Sequence, residues 1–96
     1  SAVAKDINVN VTLIKEVGAE LETLKTAISK SITEFLQSIA FEKDYVSYSL
    51  IANSILSTDG VVEWVKLTVN GGTESIAIEE EEVAILKGVV INEQQR

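Results

Sequence analysis

The chain has 96 residues, of which 46% are hydrophobic and 24% charged, enough for one domain with a modest core and too few for two. It contains neither cysteine nor histidine, which excludes disulfides, thiolate chemistry, soft-metal sites and imidazole general bases together. The formal net charge of −7, from 15 acidic and 8 basic side chains, repels phosphate backbones and anionic lipid, and no apolar run approaches the roughly 20 residues a bilayer requires. Nucleic acid and membranes are therefore not expected as partners. The N-terminus lacks the order of a signal peptide, and a chain that starts at Ser1 and has no methionine suggests a domain cut from a longer polypeptide.

Residues 6–14, DINVNVTLI, alternate strictly: Ile7, Val9, Val11 and Leu13 point one way, while Asn8, Asn10 and Thr12 point the other. This predicts a half-buried strand with a polar outer face. After Gly18 the spacing changes to three and four, and Val17, Leu21, Leu24, Ile28, Ile32, Phe35 and Ile39 form one stripe of a long amphipathic helix. Glu16, Glu20 and Glu22 crowd its positive end, and the chain breaks from it near FEKD. Asp44 is expected to cap a second, shorter helix through YVSYSLIANSILS, with Val46, Leu50, Ile51 and Ile55 buried. STDG is turn chemistry, and the β-branched and aromatic residues of VVEWVKLTV, residues 61–69, predict the next strand. Asn70-Gly71-Gly72 follows as a tight hairpin turn, because a turn that matches strand twist needs residues tolerant of positive φ. TESIAI is expected to be its returning partner. VAILKGVVI is the last strand, Gly88 marking a bulge or bend, and NEQQR a frayed end.

The order β-α-α-β-β-β, without repeats, linker or proline, predicts a single α+β domain over residues 1–96. Its architecture is a two-layer sandwich, a mainly antiparallel sheet with both helices on one face. Asn8, Asn10 and Thr12, with Lys66 and Thr68, are expected to line the open face. The pattern does not fix the strand order, and NVNVT is a candidate exposed edge for self-association.

Four consecutive glutamates, Glu79, Glu80, Glu81 and Glu82, are the obvious candidates for chemistry. Calcium loops place oxygen ligands at alternating positions around a bending glycine, and this run has neither feature. In an extended chain adjacent side chains diverge, so at most two of the four converge on one ion or substrate. A solvated turn that also blocks edge pairing is the favoured reading, and replacing Glu79, Glu80 and Glu81 by glutamine is expected to leave folding unchanged. Serines lack a histidine to activate them, and no lysine stands in a context that depresses its pKa. No catalytic, cofactor or metal residue is assigned. Trp64, the single tryptophan, alternates with Val65 and is placed on the face opposite Leu67, as a stacking platform, a partner anchor or a cover for the helix layer, with core or cover favoured. Tyr45 and Tyr48 are expected to pack within the second helix.

The run YVSYSLIANSILSTDGVVEWVKLTVNGGTESIAIEEEEVAIL resembles the C-terminal part of baseplate J-like proteins, wedge components of contractile phage tails and related tail-like particles. The resemblance is carried by Val46, Ser49, Leu50 and Ile55, by Gly60-Val61, by Asn70-Gly71-Gly72-Thr73, by Ile76 and Ile78, and by Glu82-Val83-Ala84-Ile85-Leu86. Asp59 stands where members often carry proline, and aspartate also suits a turn. The resemblance implies a non-enzymatic assembly module, made in the bacterial cytoplasm and built into a virion or tail-like particle, with other baseplate and tail proteins as partners. Binding is expected to use surface: the polar sheet face, the hairpin tip at Asn70, Gly71, Gly72 and Thr73, the acidic loop at Glu79, Glu80 and Glu81, and Trp64. A small-molecule-sensing or regulatory α+β domain is the alternative, although such folds normally separate their helices by strands.

Overall fold

The computed structural model describes residues 2–96 and shows an α+β fold of two helices and five strands in mainly antiparallel sheets. The alternating run becomes β1 (Val3–Lys15), whose Ile7, Val9, Val11 and Leu13 are buried while Asn8 and Asn10 stay exposed. The 3.6-residue stripe becomes α1 (Leu21–Ile39), buried through Leu24, Ile28, Ile32 and Leu36. A two-residue strand, β2 (Tyr45–Val46), precedes α2 (Tyr48–Leu56). Then come β3 (Val61–Val69), β4 (Ile76–Ala77) and β5 (Glu82–Glu93).

The main sheet has the order β3-β1-β5, so the first strand lies in the middle. β1 pairs antiparallel with β3 and parallel with β5. This corrects the expectation that NVNVT forms an edge: both of its sides are hydrogen-bonded, and the edges are β3 and β5. β3 and β5 do run in opposite directions, but β1 is inserted between them. α1 packs on β5, α2 packs on β3, and the helices pack on each other. Both therefore cover the face that holds Ile7 to Leu13, and each fully buried Ile or Leu there contributes about 1.5 to 3 kcal/mol of transfer free energy before its entropy cost.

Of the three register shifts in these ladders, the two nearest the middle of the sheet show how the core face stays apolar. In the β1–β3 ladder Thr12 pairs with Lys66 but Leu13 pairs with Trp64, so Val65 is the extra residue. An extra residue inverts the alternation, which brings Trp64 onto the same core-facing side as Leu67 and corrects its expected placement opposite Leu67. In the β1–β5 ladder Ile7 pairs with Leu86 and Asn8 with Gly88, so Lys87 bulges out beside the glycine singled out from sequence. Ala84 and Leu86 before it, and Val89 and Ile91 after it, all face the helices as a result.

Several local expectations change. Val17 is fully exposed in the turn before α1, because Gly18 at φ +91° bends the chain there and the helix starts only at Leu21. Ser47, not Asp44, caps α2: its hydroxyl accepts from the Leu50 amide at 3.1 Å. Val46 is buried from β2 rather than from a helix, and Leu50 is exposed. The turn at residues 69–72 closes with reciprocal bonds between Val69 and Gly72, but the returning chain leaves β3 at once. Its two strand residues pair with β2 instead, Tyr45 with Ala77 and Val46 with Ile76, which buries Val46 completely.

Candidate functional site

Each proposed interaction residue has a definite place. Asn70 sits at φ +51° in the tight turn, a left-handed conformation that asparagine tolerates better than most residues. Its backbone amide donates to the Asn8 carbonyl at 2.8 Å, its Oδ1 accepts from the Asn8 amide at 2.7 Å, and its Nδ2 donates to the Asp6 carbonyl at 3.1 Å. The side-chain amide thus acts as one more peptide group of β3, extending the ladder on β1 beyond the last residue pair. What the turn offers outward is Gly71 at its tip and Thr73 behind it, both exposed, with Gly72 half-buried.

Glu79, Glu80 and Glu81 are exposed and form a turn into β5. The Glu82 amide donates to the Glu79 carbonyl at 2.9 Å, and the Glu82 carboxylate accepts back from the Glu79 amide at 2.8 Å. The Glu81 carbonyl receives the Val3 amide, tying the turn to the start of β1. Glu82 is half-buried and engaged in this closure, while the other three carboxylates face water. Among the described residues no group of three acidic side chains is placed to hold a metal ion.

Trp64 is half-buried against the core and forms one wall of a shallow groove of about 430 Å³ with Tyr48, Ala52 and Leu56. Tyr48 packs there as well, with its hydroxyl donating to the Leu67 carbonyl at 2.6 Å. The register sets Asn10 opposite Thr68 and Thr12 opposite Lys66 on the open sheet face, joining the polar residues that alternation assigned to it. Asn92 on β5 completes the row, its amide donating to Asn10 Oδ1 at 2.9 Å. An ion pair between Lys87 and Asp6 at 3.8 Å lies across the β5 side of this face.

Two features escaped the sequence reading. Ile85 and Val90 point outward from β5 and are about half exposed, so the polar open face has an apolar margin along β5, and the bulged Val65 adds an exposed apolar side chain on β3. The signal was present in VAILKGVVI, a run apolar on both faces of the strand, the pattern of parallel strands rather than of half-solvated ones. The other is Phe41, 81% exposed beyond the end of α1, with Tyr45 close by at 47%. These two line an open cleft of about 740 Å³ with Ile78 and the acidic turn. No local signal marks Phe41, since an aromatic residue after an apolar helix stripe reads as the end of that stripe.

The family model described as Baseplate J-like protein C-terminal domain matches residues 7–92. The phage-like element PBSX protein XkdT of Bacillus subtilis (strain 168) is 26% identical over 96 residues, covering all of this chain and 28% of the relative. The uncharacterized protein YqbT of the same strain is 27% identical over 96 residues, with the same coverage of each. The chain therefore spans between a quarter and a third of the length of these relatives. With the match running from the first buried residue of β1 almost to the end of β5, the chain belongs to the Baseplate J-like protein C-terminal domain family.

Proposed function

We propose that this domain is a non-enzymatic structural module of a phage-type baseplate, holding wedge proteins to one another and to neighbouring baseplate components through its surface. The observation that carries the reading is the family match over residues 7–92, supported by a relative that belongs to a phage-like element. The geometry supports it in kind: Glu79, Glu80 and Glu81 are exposed, and the clefts are open grooves. Such surfaces suit protein contact, in which area and complementarity do the work that a pocket does for a small ligand. The contact residues we assign are Gly71, Gly72 and Thr73 at the turn tip, Glu79, Glu80 and Glu81 in the acidic turn, Trp64, the polar sheet face, and Asn70 as the residue that positions the tip.

The test is an immunoblot of purified tail-like particles and of whole-cell lysate from the source organism, with antibody raised against this domain. A band much larger than 10.4 kDa and enriched in the particles is the expected result. A small soluble band absent from particles overturns the reading in favour of the small-molecule-sensing alternative, which thermal stabilisation by a metabolite then tests.

A further inference from the structure

We infer that the cleft between the α1–β2 connection and the acidic turn docks a basic segment of another protein, one that presents an apolar side chain between lysines or arginines. The inference rests on the assembly reading above and names the partner chemistry for one of its surfaces. Phe41 forms one side of the cleft. It occupies the third position of a tight turn in which Ala40 has φ −57° and ψ 129°, Phe41 has φ +64°, and the Glu42 amide donates to the Ile39 carbonyl at 3.0 Å. That position ordinarily selects glycine or asparagine, and a bulky residue there is an outlier. The chain nevertheless holds an aromatic ring 81% exposed beside the half-exposed ring of Tyr45, with Ile78 half-buried between them and the acidic turn.

The rest of the lining sets the charge of the occupant. Glu42, Asp44, Glu79, Glu80 and Glu82 line the cleft against Lys43 alone. Among the described residues the ion pairs lie elsewhere, at Lys15 with Glu93 and at Lys87 with Asp6, so these five carboxylates form no ion pair and outnumber the single lysine beside them. The two walls are joined rather than loose: the Ile78 amide donates to the Asp44 carbonyl at 2.8 Å, and Tyr45 pairs with Ala77. A preformed cleft that sets Phe41, Tyr45 and Ile78 among five carboxylates and one lysine is complementary to an apolar anchor flanked by cations, and its rigidity lowers the ordering cost of binding.

The experiment uses the isotope-labelled 96-residue chain and three short synthetic peptides. One flanks leucine and tryptophan with lysine and arginine, the second replaces the basic residues with glutamate, and the third keeps them but replaces the apolar pair with serine. The first peptide is expected to move the amide resonances of residues 41–45 and 78–82 saturably, with an affinity that falls as salt is raised. Binding is expected to weaken at least about tenfold in Phe41→Gly, a change that suits the local φ and leaves the fold intact. Shifts scattered over the surface, equal binding of all three peptides, or undiminished binding by Phe41→Gly each overturn the inference. Concentration-dependent dimerisation abolished by Phe41→Gly also overturns it, by placing a second copy in the cleft. Failure of the assembly reading is distinguishable, because it appears as absence from particles in the immunoblot whatever the peptides do.

Discussion

Asn70 is the residue at which a proposed contact and an internal structural role meet, and its substitution separates them. Asn70→Gly keeps a backbone able to hold φ +51° and removes only the two side-chain bonds, to the Asn8 amide and the Asp6 carbonyl. Net values of about 0.5 to 1.5 kcal/mol per bond, taken at the low end because the site is exposed, give a loss of about 1 to 2 kcal/mol. Asn70→Ala removes the same bonds and adds a left-handed alanine, which raises the loss to about 2 to 4 kcal/mol. At about 4 to 8 °C per kcal/mol for a domain of this size, both changes are resolvable by thermal melting followed by circular dichroism and Trp64 fluorescence. The local readout is hydrogen exchange at the Asn8 amide, which loses its acceptor in both variants. The expected order of melting temperature is parent, then glycine, then alanine. An alanine variant that melts within about 2 °C of the parent, with Asn8 still protected, refutes the account of this side chain as a surrogate rung of β3.

Two further predictions probe how the layers meet. Gly60 has φ +95°, and a β-carbon there comes within 2.8 Å of Leu24 Cδ2, so Gly60→Ala combines backbone strain with overpacking. It is expected to cost about 2 to 4 kcal/mol by urea denaturation, and an unchanged midpoint would show that the α1–β3 corner yields freely. Tyr48→Phe removes the bond to the Leu67 carbonyl and is expected to cost about 1 kcal/mol while leaving the ring packed. A loss above about 3 kcal/mol would mean that the ring itself moves.

The elements that were legible in the sequence are those whose pattern is local and sustained. β1 alternates over its whole middle, α1 carries one apolar stripe through Leu24, Ile28 and Ile32, and the Asn70-Gly71 turn stands where residues tolerant of positive φ demand it. Elements fixed by competition between distant segments were not legible. Residues 76–77 can extend a hairpin with β3 or pair with residues 45–46, and only tertiary packing, which buries Val46, decides between the two. The Val65 bulge has no glycine beside it and was invisible, so Trp64 was assigned to the wrong face, whereas Gly88 announced the bulge at Lys87. In the candidate surfaces the acidic turn was readable from four charges that no core accepts, while the exposure of Phe41 depends on how the chain leaves α1.

The parallel pairing of β1 with β5 has the largest consequence for an assembly role. Strands joined in parallel begin at the same end, so the start of β1 and the acidic turn lie together, linked by the Val3 to Glu81 bond, with the Phe41 cleft beside the turn. The other end carries the Lys15 to Glu93 ion pair and the end of β5. An antiparallel β5 would instead have folded the chain back on itself and brought the end of β5 to the start of β1. At about 3.3 Å per residue, the 13 residues of β1 account for most of the molecule's 44 Å long axis, against 21 and 17 Å across. The acidic cleft at one end and the mixed polar and apolar sheet face along the side are therefore separate surfaces with different chemistry. A basic segment in the first leaves the second free, which is the arrangement a module needs if it is to be held by two neighbours at once.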